Sequence, residues 1–279
     1  MNIIEVTEAD MRKAVVDGEL SDGRLLFVVD IGATNTRLGL TKQGASVVSI
    51  LFVKYAVKSI KRLLGVMNHF VETLGDGVCS RISGAALNLP GPVHGAVGGP
   101  IANYEGNGPS EKLLLLSDLP VKLCPLHHTV MLNDLEACAY GVVAANRFSG
   151  VFESLFQTLW CGTTNKSETT VKSLPDGHCL VAAPGTGLGA AIVQYHSFSG
   201  KFSVLPLEMG HMNVQSHTDE AFQRAYGADM KWGPYLPEYD DICSGRGLEA
   251  LYGFISKKAS NLTRAKEVAT AAQISVLAK

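Results

Sequence analysis

Two adjacent residues, Asn133 and Asp134, and a second pair three positions apart, Glu208 and His211, carry side chains suited to a polyol. The Asp134 carboxylate could accept the proton of a sugar-type hydroxyl, and a positioned base of this kind gives about 10²–10⁴-fold in rate. Asn133 could hold a neighbouring hydroxyl. Glu208 offers an acceptor, and His211 offers both a donor and an acceptor, for adjacent hydroxyls. Two small-residue turns, each between apolar runs and about 150 residues apart, offer phosphate chemistry. The first is Asp30-Ile31-Gly32-Ala33-Thr34-Asn35-Thr36-Arg37. Thr34, Asn35 and Thr36 can donate to phosphate oxygens, and Arg37 adds positive charge. Asp30, at the end of an apolar run, could hold a hydrated Mg²⁺. Gly32 and Gly39 would let the backbone bend and approach a ligand closely. In the second turn Gly185, Thr186, Gly187 and Gly189 supply exposed backbone amides and one hydroxyl. Two such turns in the halves of one chain suggest two jaws on one polyphosphate.

Each element has a plainer reading when taken alone. A small-residue turn between strands is also a hairpin. Asn and Asp at a helix start are also the commonest N-caps. Asp240-Asp241-Ile242-Cys243-Ser244-Gly245 reads as a capping segment from which Asp240 could reach a cleft. The second turn is not a Walker A loop, because no lysine follows its glycines. It is not a dinucleotide fingerprint, because Ala190-Ala191-Ile192-Val193 reads as strand where that motif needs a helix. It is the order of all five elements in one chain that points to a polyol beside a phosphate.

The elements that must position these residues are legible as patterns. Strands are expected over 25–31, 36–41 and 47–54, and an amphipathic helix over 57–75 follows from Ile60, Leu63, Leu64, Met67, Phe70, Val71 and Leu74. A lead-in helix is expected within 1–20. Ile82 to Leu89 is a strand ended by Pro90-Gly91-Pro92, and 90–109 reads as a long functional loop. Val130-Met131-Leu132 is a short strand, and Asn133-Asp134 opens a helix to about Asn146. Residues 162–177 read as a surface excursion. Strands over 179–183 and 188–195 bracket the second glycine turn. Helices are expected over about 218–230, 245–258 and 264–278. Strands cluster before helices in each half, which fits an α/β fold of two similar lobes with a cleft, divided as 1–132 and 133–279.

Composition excludes several classes. The chain has 279 residues, 24 basic and 26 acidic, with no charged tail. Neither nucleic-acid binding nor a polybasic membrane role has support there, and no apolar run reaches transmembrane length. The six cysteines contain no C-x-x-C pair and read as reduced thiols of an intracellular protein. Residues 1–24 are too short and too little basic for a helix-turn-helix of a sugar-responsive repressor.

The ordered set D-I-G-A-T-N-T-R, L-N-D, P-G-T-G-L-G, E-M-G-H and S-G-R-G-L resembles the glucokinases of bacterial type, within the sugar kinase–heat-shock–actin superfamily. The loop Asn88 to Pro100 and the stretch Leu132 to Ala137 most resemble glucokinases of kinetoplastid parasites. The likeness runs from about residue 24 to 258. It implies a two-lobed actin-like (ribonuclease H-like) fold with a central cleft, ATP and Mg²⁺ as cofactors, glucose as substrate, and room for a homodimer. By this resemblance Asp134 activates the sugar 6-hydroxyl for attack on the γ-phosphate. Asn133, Glu208 and His211 bind sugar hydroxyls, with a backbone contact from Gly187. Asp240 stands where relatives carry a longer glutamate. Asp30 to Arg37 and Gly185 to Gly189 are the phosphate loops, and Asn103 falls near an Asn that follows the loop in relatives. Relatives continue beyond Lys279 with a further glycine motif for the adenosine, so an incomplete second lobe is expected, with a weak or inactive sugar-binding relative as the alternative. The implied compartment is the cytoplasm, or the glycosome where a targeting tripeptide is present. The zinc motif of the repressor–kinase branch is absent after Glu208-Met209-Gly210-His211.

Overall fold

The computed structural model describes residues 2–32, 35–44, 49–101, 103–147, 156, 177–214, 226 and 237–259. The chain divides into two compact units, Met1–Ala137 and Cys138–Lys279. The expected excursion over 162–176 and helices over 264–278 and most of 218–230 lie outside the described residues.

Unit 1 is built on a six-stranded mixed sheet. Its strands are β1 (Asn2–Glu5), β2 (Leu25–Ile31), β3 (Asn35–Lys42), β4 (Ser49–Ala56), β5 (Ile82–Leu89) and β9 (Thr129–Asn133), in the order β1-β4-β3-β2-β5-β9. β2, β3 and β4 form an antiparallel meander. β5 pairs parallel to β2, and β9 pairs parallel to β5. Strict alternation in Leu-Leu-Phe-Val-Val-Asp-Ile buries Leu25, Phe27, Val29 and Ile31 on one face of β2, which sets Asp30 on the other. Helix α1 (Glu8–Val16) opens on a capping box between Thr7 and Asp10. Helix α2 (Ile60–Leu74) starts at the N-cap Ser59 and buries Leu63, Val66, Met67, Phe70 and Leu74. The Phe27 and Phe70 rings lie 5.9 Å apart within this core. Each such apolar side chain contributes roughly 1.5–3 kcal/mol on burial. A short helix α3 (Asp76–Cys79) leads into β5. Between β5 and β9 the chain forms a small sheet of β6 (Val93–His94), β7 (Val97–Gly98) and β8 (Leu114–Leu115).

The expected strands of unit 1 are present, and the region 90–109 is partly folded into this small sheet. β1 was not legible in the sequence. It is a short edge strand and gains its order by parallel pairing with β4. Gly39 also departs from expectation. It lies inside β3, not at the turn, and a Cβ there would come within 3.0 Å of Val28 and 3.1 Å of the Leu51 carbonyl. It serves packing between strands rather than approach to a ligand.

Helix α4 (Asp134–Arg147) runs from the end of β9 across the boundary between units. Unit 2 contains an antiparallel sheet of β10 (His178–Pro184), β11 (Leu188–His196) and β12 (Lys201–Leu207). Helices α5 (Asp240–Cys243) and α6 (Gly245–Ala259) follow. The hairpin between β10 and β11 turns on Gly185-Thr186-Gly187. Buried Tyr226 stacks edge-on against Phe254, and its hydroxyl donates to the Asp241 carbonyl at 3.0 Å. The five described cysteines, Cys79, Cys124, Cys138, Cys179 and Cys243, are free. Burial pushes the Cys124 thiol up to about 12, which leaves it unreactive. Among the described residues, no helix is long and apolar enough to cross a membrane.

Candidate active site

In unit 1 the candidate residues gather at the carboxyl ends of three neighbouring parallel strands. Asp30 is the penultimate residue of β2, Asn88 lies opposite it near the end of β5, and Asn133 closes β9. This end of an open α/β sheet is where such folds bind ligands. Asp30 is held from both sides. Arg37, its cross-strand partner in β3, donates to Oδ2, and Asn88 Nδ2 donates to Oδ1 at 3.0 Å. Arg37 also lies over the Phe52 ring, 5.8 Å from its centroid. Arg37 and Asp30 are each a little under half exposed, so the pair remains open to solvent. The turn itself is closed by Gly32 N donating to the Asn35 carbonyl at 2.9 Å, and a Cβ on Gly32 would meet that same carbonyl. Thr34 lies outside the described residues.

Thr36 departs from the expected phosphate role. Its side chain is wholly buried, and Oγ1 lies 3.5 Å from the Tyr104 hydroxyl. That contact anchors the loop holding exposed Asn103 to β3. The strand alternation of β3 is the cause: it turns Thr36 inward and Arg37 outward.

The start of α4 is fixed by Asn133. Its Oδ1 accepts from Leu135 N at 2.9 Å and from Glu136 N at 3.4 Å, the geometry of an N-cap. Its Nδ2 donates to the Gly91 carbonyl at 3.0 Å, tying the helix start to the loop after β5. Asp134 is half-buried in the first turn of α4, and its Oδ1 accepts from Leu135 N at 2.9 Å. The helix N-terminus favours a negative charge at that point. The N-cap and the site readings of this pair are therefore both physically available: capping uses Asn133 Oδ1 and one amide hydrogen, and leaves the second.

In unit 2 one carboxylate organises the second glycine turn. Gly185 N donates to the Gly187 carbonyl at 2.8 Å, and the Gly185 carbonyl accepts from Gly245 N at 2.8 Å at the start of α6. Thr186 is exposed at the tip, and Gly189 pairs with Ala183 in the hairpin. Asp240 Oδ1 accepts from Leu188 N at 2.5 Å, and its Oδ2 lies 3.7 Å from Arg246. The carboxyl occupies the space where a Cβ of Gly210 would stand, and it would press on a Cβ of Gly187 at 3.0 Å. Ser244 caps α6, accepting from Gly247 N at 3.1 Å and donating to the Asp240 carbonyl at 2.5 Å. Asp240 is thus a clamp within the loop cluster.

Glu208 and His211 flank the 3-10 turn Met209–His211, whose backbone closes with His211 N on the Glu208 carbonyl at 3.2 Å. Both side chains are exposed. His211 Nδ1 lies 3.0 Å from Glu238 Oε2. The hydrogen bond to Glu238 raises the His211 pKa above its usual value, with smaller contributions from the charges of Glu238, Asp240 and Glu208. Glu238 was missed in the sequence because a lone Glu in Pro237-Glu238-Tyr239 carries no motif. Asn88 and Tyr104 were missed as partners of Asp30 and Thr36 because only strand register and loop return bring them together.

The sequence from 27 to 279 matches a model of the family described as glucokinase. The chain belongs to the glucokinase family. A probable glucokinase 2 of Trichomonas vaginalis is 33% identical over 268 residues, which cover 90% of this chain and 68% of that protein. Glucokinase 1 of the same organism is 37% identical over 183 residues, covering 63% of this chain and 47% of its own. Among solved structures, Leishmania braziliensis glucokinase superposes with a TM-score of 0.77 at 26% identity, covering 99% of this chain and 74% of that one. Balamuthia mandrillaris glucokinase in complex with glucose gives a TM-score of 0.69 at 28% identity, covering 91% and 67%. The α/β architecture is thus that of the glucokinases, and the family reaction is ATP-dependent phosphorylation of a hexose.

Proposed function

We propose that this glucokinase-family chain transfers the γ-phosphate of ATP to the 6-hydroxyl of glucose, with Asp134 as the base. The observation that carries the reading is the Asn133-Asp134 junction, where a carboxylate sits in the first turn of α4 and its neighbour is tied to the Gly91 carbonyl. Phosphoryl transfer needs positioning and charge neutralisation more than covalent chemistry. Asp134 takes the hydroxyl proton as the phosphate bond forms. Asn133, Glu208 and His211 orient the sugar, with a backbone contact from Gly187. The Asn35 side chain and the exposed Thr186 at the tip of the second turn hold phosphate oxygens, because the Gly32 and Gly185 amides close their own turns and Gly189 is paired within the hairpin.

Asp30 fits a magnesium ion held through water, because Mg²⁺ is usually bound by one or two carboxylates together with substrate phosphates. Among the described residues no cluster of three His, Cys, Asp or Glu side chains could hold a metal by protein ligands alone. When bound, the ion supplies charge neutralisation at the transferred phosphate. The free cysteines suit a reducing compartment, the cytoplasm or the glycosome matrix. The lobes of the enzyme are read as 1–132 and 133–279, and a homodimer is the assembly to test by sedimentation.

A coupled assay for glucose 6-phosphate with MgATP tests the reading. Asp134→Asn is expected to lower kcat by about 10²–10⁴-fold while glucose still raises the melting temperature. Glucose-dependent stabilisation of the wild-type chain with no turnover would make it a sugar-binding relative and overturn the kinase reading.

A further inference from the structure

Glu238 faces His211 because two short segments are held side by side. Val214 N donates to the Pro237 carbonyl at 2.9 Å, and Tyr239 N donates to the Met212 carbonyl at 3.0 Å. Asn213 and Glu238 form an antiparallel bridge between them. Glu238 N donates to Asp241 Oδ2 at 3.0 Å, which fixes the backbone just before α5. The carboxylate therefore arrives at His211 Nδ1 on a braced backbone. Of the acidic residues expected near the sugar, Asp240 is engaged by Leu188 N and lies near Arg246. The His211 ring is 66% exposed and Glu238 39%, so the pair adds little to stability and acts mainly on the ring's proton.

We propose that Glu238 is a positioning residue of the sugar site, which accepts the Nδ1 proton of His211 and so leaves Nε2 as the ring atom that accepts from a sugar hydroxyl. The inference rests on the reading of His211 as a sugar ligand. Which imidazole nitrogen carries the proton is set by the hydrogen bond the other makes. With Glu238 opposite Nδ1, the neutral ring has its lone pair on Nε2. Protonation turns Nε2 into a donor and removes that acceptor. Glu238, then Asp240 and Glu208, all favour the protonated ring, so the change falls at a higher pH than for an ordinary histidine. The nearby cation, Arg246, is within 4.0 Å of Asp240 and Asp241. Glucose affinity should therefore weaken as pH falls through the raised His211 pKa, at a point set by Glu238.

The test uses the full chain and two variants of Glu238. Glu238→Ala is expected to raise the glucose KM at about pH 8 roughly 3- to 10-fold, the worth of one hydrogen bond, with kcat nearly unchanged. Glu238→Gln keeps an oxygen opposite Nδ1 but no charge. It is expected to restore the KM at that pH and to move the acid rise of KM to lower pH. The His211 ring, followed by NMR without sugar, should show the Nδ1–H tautomer in the wild type and a lowered titration in both variants. A wild-type KM and pH profile in Glu238→Ala would overturn the proposal. So would an equal loss of affinity in both variants with an unchanged His211 titration, which is the mark of a merely structural role. His211→Asn separates the underlying reading: unchanged glucose affinity in that variant would remove His211 from the sugar site even where NMR still finds the pair.

Discussion

Asn133 uses both ends of its amide, and the two uses can be separated by substitution. Asn133→Ala removes the cap on Leu135 N and the tether to the Gly91 carbonyl together. It is expected to cost about 1–2 kcal/mol in urea denaturation. Asn133→Asp keeps the cap acceptor and loses the donor, so its stability should fall between the two while the glucose KM rises as it does in Ala. A KM that follows stability in the order Asn, Asp, Ala would assign the residue to capping alone. At this scale the sequence carried the residue types well and their partners poorly. Asn133, Asp134, Glu208 and His211 stood out because their chemistry is concentrated in short spans. Glu238 reaches His211 across 27 positions, and no local pattern encodes that return. Thr36 looked like a phosphate donor because its neighbours were polar, yet strand alternation turned it onto Tyr104.

The long elements of unit 1 were readable because burial and period agree. β2 alternates with a period of two, and α2 places its apolar residues on one face, so each pattern has one stable answer. The short elements were not, because tertiary pairing makes them. β1 and β12 have little local signal and exist as partners of β4 and β11. Helix α1 shows how such a region is tied down. Glu8 Oε1 accepts from the hydroxyl of half-buried Tyr55 on β4 at 2.7 Å, and its Oε2 lies 3.1 Å from His69 Nε2 on α2. The Tyr55 hydrogen bond chiefly holds the Glu8 carboxyl below its ordinary value of 4.5. A carboxyl whose pKa is lowered by folding stabilises the fold above its unfolded pKa, and that contribution is lost as pH falls through the folded one. Glu8→Gln should therefore lower the melting temperature slightly at neutral pH and flatten its fall as pH drops below the unfolded carboxyl value of 4.5. Parallel melting curves for the two proteins across that range would mean the contact carries no linkage.

At the scale of the molecule the fold class was legible, since strands cluster before helices in each half, as in the β2-β3-β4 meander ahead of α2 and the β10-β11-β12 sheet ahead of α5 and α6. The motifs pointed to the glucokinase family as a set and were ambiguous one by one, because a hairpin or a cap uses the same residues. Glucose binding offers a readout for the whole chain that does not depend on turnover. A ligand at a free concentration of about 100 times its Kd stabilises the native state by about 2.7 kcal/mol. Addition of glucose should raise the unfolding free energy from urea titration by about that amount, and His211→Asn should reduce the gain by about 0.5–1.5 kcal/mol, the worth of one hydrogen bond; an equal gain in both proteins would place the sugar elsewhere. The Asp240 clamp has a further consequence for how this chain can change over time. Its carboxyl fills the space that side chains at 187 and 210 would need, and it holds Leu188 N as it does so. Three positions far apart in sequence are therefore coupled through one carboxyl: a side chain at 210 demands that the Asp240 carboxyl and the Leu188 carbonyl both move, and one at 187 demands that the carboxyl give by a few tenths of an ångström.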